Sequence, residues 1–126
     1  SEGIGTNQTG YPYAATTGAL DYCRLHDLRV QAWTPVARGQ IFEPASDAPA
    51  PVIAVAAKIA HLAKTLGTTR EAIALAWLLR HPAGIQPVVG TANVQRLQDA
   101  CNADAVELSR ETWYALLEAA RGKPAP

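Results

Sequence analysis

The sequence has no excess of charge of either sign. Eleven Lys and Arg residues are balanced by eleven Asp and Glu residues, so the formal net charge at pH 7 is zero. A balanced surface creates no overall field that would attract the phosphate backbone of nucleic acid or an anionic membrane. We therefore expect neither nucleic acid nor a membrane among the partners of this chain.

Long apolar runs are also absent. The most apolar stretch, APVIAVAAKIAHLAKTLG (residues 50–67), is interrupted by Lys58, His61 and Lys64, whereas a membrane-spanning helix needs about 20 predominantly apolar residues. The opening residues, SEGIGTNQTG, do not resemble a signal peptide because they contain neither a basic segment nor an apolar one. They already include a strand-like run, so we expect further sequence upstream.

The residues that mark common metal, nucleotide and nucleophile sites are scarce. The only cysteines, Cys23 and Cys101, form no CxxC motif and no cysteine–histidine pair at zinc spacing. We expect two buried thiols in helices of a cytoplasmic protein, and no metal site. GxGxxG and Walker A loops are missing, which argues against the common dinucleotide-binding fold and against P-loop enzymes. Paired carboxylates and a serine-centred elbow do not stand out either.

Three short β-favouring runs are present, and each leads through a polar turn into a helical pattern. They are GIGTNQ (3–8), LRVQAWT (28–34) and GIQPVVG (84–90). This alternation is typical of parallel βα units. With 126 residues, 48% of them hydrophobic, the chain is predicted to be one globular α/β domain.

Helical spacing of apolar residues predicts five helices. The predicted segments are AATTGALDYCRLHDL (14–28), residues 52–66 with Gly67 as the C-cap, TTREAIALAWLLRHP (68–82), NVQRLQDACNA (93–103) and LSRETWYALLEAARG (108–122). In the third, Thr68 and Glu71 have capping-box spacing and Pro82 ends the helix. The fourth carries Val94, Leu97 and Cys101 on one face. Between the second strand and the second helix lies a long proline-rich loop, PVARGQIFEPASDAPAP (35–51), which is functional or mobile.

Polar or aromatic residues stand at the ends of the predicted strands, where parallel α/β folds bind their ligands. Gln8 follows the first strand, Trp33 and Thr34 end the second, and Gly90 and Thr91 end the third. Each also has an ordinary interpretation. A lone amide carries little information, a strand tryptophan is commonly a core aromatic, and a Gly-Thr pair is commonly a turn with a cap.

The third strand end, QPVVGTANVQRL (86–97), contains a candidate phosphate contact. Gly90 lets the backbone approach a ligand, Thr91 adds a hydroxyl, and Arg96 follows about one helical turn later. A guanidinium in that position can form paired hydrogen bonds to a phosphate, although a lone helical arginine is commonly solvated. The three strand ends together favour one extended ligand more than any of them does alone.

Taken in order, the motifs resemble the C-terminal part of an aldo-keto reductase. They are TNQTGYPY, LRVQAWTPVARGQIF, TTREAIALAWLLRHP, VVGTANVQRLQDA and LSRETWYALLEAARGKP, and they span nearly the whole chain. The resemblance implies a (β/α)8 TIM barrel, of which residues 1–126 would form a partial NADP-dependent oxidoreductase domain: about strands six to eight and the closing helices, as in a bacterial subgroup. It also implies NADPH, or less often NADH, as cofactor and a small aldehyde or ketone as substrate.

The resemblance assigns cofactor contacts to individual residues. Gln8 would meet the nicotinamide carboxamide, and Trp33 would lie against the nicotinamide ring. The loop that passes over the pyrophosphate would begin with Thr34, Pro35 and Val36. The 2′-phosphate or adenosine end would be held by Gly90, Thr91 and Arg96, with Asn93 as a further candidate. This assignment agrees with the position of phosphate sites in barrels, at the loops after strands seven and eight.

Two departures from the family pattern limit what the chain is expected to do. Ala100, which follows Asp99, stands where many members have an asparagine that contacts adenine. No stretch matches the motifs of the catalytic Asp, Tyr, Lys and His, which belong to the first half of the barrel, so we expect no catalytic residue here and an inactive chain. Three strands cannot close an eight-stranded barrel. The expected partner is therefore the missing N-terminal half, or a second copy bound through open sheet edges.

Two other functions remain open at this point. The chain is also compatible with a non-catalytic cofactor-binding or regulatory module on the same scaffold. Alternatively, the helices that carry Trp77 and Trp113 would pair with a partner in a small helical adaptor.

Overall fold

The structure, a computed structural model, describes residues 18–125. The helices are α1 (Ala19–Leu25), α2 (Ala50–Leu66), α3 (Arg70–Leu79), α4 (Val94–Cys101) and α5 (Arg110–Arg121), and the strands are β1 (Gln31–Trp33) and β2 (Gln86–Val88). Short 3-10 turns cover Ala37–Gly39 and Asn102–Ala105. The predicted alternation of strand and helix is confirmed for the second and third strands, whereas the predicted strand 3–8 lies outside the described residues.

The two strands form a parallel pair, as the βα pattern predicts. The register pairs Gln31 with Gln86, Ala32 with Pro87 and Trp33 with Val88. Both strands are shorter than the predicted runs. Since each is paired here with one neighbour, the regular ladder extends only where β1 and β2 lie side by side.

One face of this sheet is exposed. Gln31, Trp33, Gln86 and Val88 are exposed on it, and the Gln31 side-chain amide donates to Gln86 Oε1 at 3.3 Å. Side chains of a strand alternate between faces, so the residues between them, including Ala32, point towards the other side and are half-buried. No element within residues 18–125 covers the exposed face.

Helix α3 occupies the centre of the described structure. Its five consecutive residues 72–76 are all buried, and Ile73 and Leu75 are the largest fully buried side chains. A helix that is buried over more than one full turn has neighbours on every side. Those neighbours are α2, α4, β2 and the 102–105 turn. Other core residues are Val55, Ile59 and Ala63 of α2, Leu116 of α5, and Ala37, Ile41, Ala103 and Leu108 between the helices.

The junction of α2 and α3 differs from the prediction by one residue. Gly67 ends α2 with a φ of 64°, which confirms the predicted C-cap. The cap of α3 is Thr69, whose hydroxyl accepts from the Ala72 N–H at 3.1 Å, so the predicted capping box at Thr68 is wrong. The Thr68 N–H donates instead to the Ala63 carbonyl. Thr68 therefore closes the first helix before the second begins.

The prediction of two buried thiols is also wrong. Cys23 of α1 is half-buried and Cys101 of α4 is exposed, and both are free. Val94 and Leu97, on the same face of α4 as Cys101, are exposed too. The reason is that α4 approaches the core through Ala100 and leaves its apolar face uncovered by the described residues.

Two tryptophans join α3 to α5. The indole rings of Trp77 and Trp113 are stacked, with their centroids 4.9 Å apart and their planes 6° apart. Trp77 Nε1 donates to the Trp113 carbonyl at 3.0 Å, and Trp113 Nε1 donates to the Trp77 carbonyl at 2.9 Å. Ser109 caps α5 as predicted, accepting from the Thr112 N–H. The reciprocal bonds satisfy both half-buried indole donors without a water or a partner chain.

Within residues 18–125, no single helix has the length and hydropathy that a membrane span requires. Helices α2 and α3 reach them only when counted together, and they meet at a bend of 101°.

The tryptophan pair gives a test of the packing. Trp77→Phe removes the indole N–H that donates to the Trp113 carbonyl and part of the stacked indole surface, so we expect the free energy of unfolding to fall by about 1–3 kcal/mol. Urea unfolding followed by circular dichroism measures this change. The matched control is Trp33→Phe, because Trp33 is 70% exposed and its replacement should stay within about 0.5 kcal/mol. Equal effects of the two variants would show that the reciprocal bonds do not hold α3 to α5.

Candidate functional site

A cavity of about 680 Å³ lies where four parts of the described chain meet. Its walls come from the segment after β1 (residues 38–43), Ala63 of α2, the residues that lead into and begin α3 (68–71), and α4. Its volume is within the usual range of small-molecule sites, about 300–1,000 Å³. The cavity therefore has room for a part of a nucleotide-sized ligand.

The cavity is lined by charges of both signs. Its cations are Arg38, Arg70 and Arg96, and its carboxylates are Glu43, Glu71 and Asp99. The charges are not all free, because the Arg70 guanidinium lies 3.6 Å from Glu43 and donates to the Phe42 carbonyl at 2.8 Å. Arg38 and Arg96 also line the cavity, and neither takes part in this contact.

Glu71 and Asp99 influence the electrostatics around Arg96. Burial raises the pKa of the Glu71 carboxyl above its ordinary value; the Arg96 guanidinium opposes the shift and the Asp99 carboxylate adds to it. These interactions require the three groups to lie near one another, although they come from two helices. An anion that approaches Arg96 therefore also meets the field of two carboxylates.

The ends of β1 and β2 are close in sequence to residues that line this cavity. The β1–β2 register pairs Trp33 with Val88, so both strands finish at the same edge of the sheet. Trp33 presents an exposed indole there. Thr34, Pro35 and Val36 are half-buried and continue directly into the 38–43 wall.

At the end of β2, the predicted turn and cap are present. Thr91 Oγ1 accepts from the Asn93 N–H at 3.1 Å, and Asn93 Oδ1 accepts from the Arg96 N–H at 3.1 Å. The Thr91 hydroxyl hydrogen and the Asn93 side-chain NH₂ remain able to donate. A Cβ built at Gly90 meets no atom within 4 Å, so the backbone is open to a ligand at this point. The turn geometry and an anion contact are thus compatible at the same residues.

The backbone after β1 is strained. Thr34, Ala37 and Arg38 have φ values of 56°, 49° and 56°, although none of them is a glycine. Left-handed conformations at non-glycine residues cost about 1–3 kcal/mol each and are concentrated at functional sites. Three such residues within five positions mark this segment as held in place by its surroundings.

Of the predicted site residues that the structure describes, one lines the cavity. Arg96 lines the cavity, whereas the other described candidates lie outside its lining at the strand ends: Trp33, Thr34, Pro35, Val36, Gly90, Thr91 and Asn93. Gln8 lies outside the described residues. Sequence reasoning did not identify Arg38 and Arg70 as residues of the site. Their signal was an arginine five positions after the end of a strand and a second one in the first turn of a helix.

Known proteins match this chain over most of its length. The model of the aldo/keto reductase family matches residues 4–121. The 6-dehydroglucose reductase of Agrobacterium fabrum is 37% identical over 108 residues, which cover 86% of this chain and 34% of that protein. A protein of the same name from Novosphingobium aromaticivorans is 36% identical over 109 residues, covering 86% of this chain and 35% of its own length.

A solved structure shares the fold of the chain. It is a thermostable aldo-keto reductase in complex with the inhibitor epalrestat, with a TM-score of 0.67 and 24% sequence identity over 81% of this chain and 33% of that one. The chain thus spans about a third of the length of these relatives. Because the family model covers most of its residues, the chain belongs to the aldo/keto reductase family.

Proposed function

We propose that this chain is the C-terminal part of an NAD(P)H-dependent aldo-keto reductase, equivalent to about strands six to eight of the (β/α)8 barrel and its closing helices, and that it supplies much of the cofactor site. The observation that carries the proposal is the position of Arg96 on the wall of a cavity whose other walls include the segment after β1 and the start of α3. This is the arrangement expected for the phosphate-bearing adenosine end of the cofactor.

The described residues fit such a cofactor. Arg96 and Arg38 offer guanidinium groups, and Thr91 and Asn93 offer donors beside an open backbone at Gly90. Trp33 offers an exposed flat face at the neighbouring strand end. We assign the phosphate and adenosine end to the arginine side of this set, and the nicotinamide to Trp33, with Gln8 on the carboxamide.

When bound, the reduced nicotinamide supplies the hydride that reduces a carbonyl group. The residues of this chain bind and orient the cofactor. Arg96 neutralises phosphate charge, Trp33 provides a surface for stacking, and the 34–43 segment shields one side of the site. The proton donor and its neighbours lie outside this chain in our proposal, so the chain alone should bind the cofactor without reducing a substrate.

The exposed sheet face supports the presence of a partner. Parallel sheets are normally covered on both faces, but Trp33 and Val88 are exposed on one face here, as are Val94 and Leu97 on α4. We propose that the N-terminal half of the barrel covers these surfaces, or that a second copy does so when that half is absent.

Relatives named for the reduction of 6-dehydroglucose support a small carbonyl compound as the substrate. The free cysteines are consistent with a cytoplasmic location.

A non-catalytic cofactor-binding or regulatory module on this scaffold is the alternative. An upstream coding sequence with an Asp, a Tyr, a Lys and a His at family spacing would exclude it. We do not favour the helical adaptor. The indole rings of Trp77 and Trp113 are stacked on each other, and each indole N–H donates to the carbonyl of the other residue.

Binding of NADPH to the Arg96→Ala variant tests the proposal. Loss of one charge-assisted contact to the phosphate should weaken the affinity by about 10- to 100-fold, the equivalent of about 1.5–3 kcal/mol. Quenching of tryptophan fluorescence, titrated with NADPH, measures the dissociation constant. Arg110→Ala is the matched control, since Arg110 is exposed and lies over the Tyr114 ring, away from the cavity walls. Unchanged affinity in Arg96→Ala would contradict the phosphate assignment.

The carboxylates beside Arg96 should set the preference between the two cofactors. Glu71→Gln removes a negative charge near the proposed 2′-phosphate site, so we expect NADPH to bind about two- to fivefold more tightly, with a smaller change for NADH, which lacks that phosphate. The same titration with both cofactors gives the ratio. Glu107→Gln, at an exposed residue that does not line the cavity, is the control.

The gain in NADPH affinity of Glu71→Gln should also depend on pH. Because the pKa of Glu71 is raised, its carboxyl becomes neutral at a higher pH than an ordinary glutamate. The advantage of Glu71→Gln should therefore be largest at neutral pH and disappear as the pH falls through that raised pKa. Protonation of the 2′-phosphate acts in the same direction, because it weakens the repulsion that the variant removes. An advantage that grows towards acid pH would contradict this role of Glu71.

A further inference from the structure

The strained segment after β1 is fixed to the core on one side. Ala37 and Ile41 are buried, and Val36 and Phe42 pack partly against the same core. Backbone bonds close the turn between them, including those from the Phe42 and Glu43 N–H groups to the Gly39 carbonyl at 2.9 and 3.3 Å. These contacts offset the cost of the left-handed residues at 34, 37 and 38.

On the side of the cavity, Arg70 is the side chain that grips the segment. Its Nη1 donates to the Phe42 carbonyl at 2.8 Å, and its Nη2 lies 3.6 Å from Glu43 Oε1. The second contact is weak because the Glu43 side chain is 84% exposed. The bond to the carbonyl is shorter and charge-assisted, and so contributes most of the grip.

Arg70 connects the segment after β1 to the buried helix α3. It is the first residue of α3, two positions before the buried run 72–76, so its backbone cannot move far without disturbing the core. Helix α3 also contacts α4, which carries Arg96. Arg70 therefore links the segment after β1 to the same rigid element against which Arg96 is set.

We infer that Arg70 is a positioning residue: it holds the strained 34–43 segment as a fixed wall of the cavity, so that the cofactor binds a site that is already formed. The inference rests on the proposed function for its ligand. Pre-formed sites bind more tightly because less ordering is left for the binding step. Arg70 then acts through the Phe42 carbonyl, without a bond of its own to the phosphate.

The first measurement needs no cofactor. Arg38 is exposed and followed by Gly39, so the segment contains a site that trypsin cleaves once the backbone loosens. In Arg70→Ala, we expect cleavage after Arg38, followed by mass spectrometry, to be about five- to tenfold faster than in the unchanged chain, as expected for loss of one charge-assisted bond. Arg70→Lys, which can still donate to the carbonyl, should restore most of the protection, and Glu43→Gln should lie within about twofold. Arg80→Ala, at the other end of α3, is the control.

The second measurement separates positioning from a direct contact with the 2′-phosphate. Arg70→Ala should weaken NADPH and NADH by the same factor, because a loosened wall affects both cofactors, whereas a direct bond to the 2′-phosphate would affect NADPH alone. Thermal unfolding, followed by circular dichroism, should be similar in Arg70→Ala and Arg80→Ala, which excludes a general loss of stability.

Each outcome decides one question. Unchanged cleavage after Arg38 in Arg70→Ala, or a loss restricted to NADPH, would overturn the inference. Failure of the unchanged chain to bind either cofactor would overturn the proposed function instead, while the cleavage rates still report whether Arg70 holds the segment.

Discussion

The burial of residues 72–76, the middle of α3, is the constraint on which the described structure depends. Five consecutive buried residues require a neighbour on every side of the helix, and α2, α4, β2 and the 102–105 turn provide those neighbours. The stacked Trp77 and Trp113 then fix α5 to the end of α3 with two hydrogen bonds. The position of α3 also places its first turn. That turn, with Arg70 and Glu71, forms part of the wall of the cavity.

The cavity combines rigidity with balanced charge. Three arginines and three carboxylates line it, so the cavity has no overall positive potential. Binding of an anion there would depend on which arginines are already in contact with other groups of the protein. Arg70 is engaged with the Phe42 carbonyl, while Arg96 lies in the combined field of Glu71 and Asp99. Backbone strain at Thr34 and its neighbours is stored next to this site. Three of the left-handed non-glycine residues thus lie in the segment that would cover a cofactor.

The sequence predicted what local spacing determines. Helices α2, α3 and α5 follow from apolar periodicity, and the caps at Gly67 and Ser109 follow from residue type. Prediction failed where two elements compete for the same backbone groups, as at Thr68, or where exposure depends on a neighbour, as at Cys101. Arg96 was identifiable because it follows a strand end, whereas the role of Arg70 depends on a loop 28 residues away in the chain. Spacing along a helix cannot indicate which loop lies against its first turn.

We propose that one cofactor occupies the cavity and both strand ends. Hydrogen–deuterium exchange of the chain with and without NADPH tests it most directly, because it reports protection along the whole backbone at once. We predict slower exchange on binding in two separate segments, 34–43 and 90–97, with no change in the α5 residues around Trp113. Protection confined to other segments, or no protection at saturating NADPH, would contradict a cofactor site that includes both strand ends.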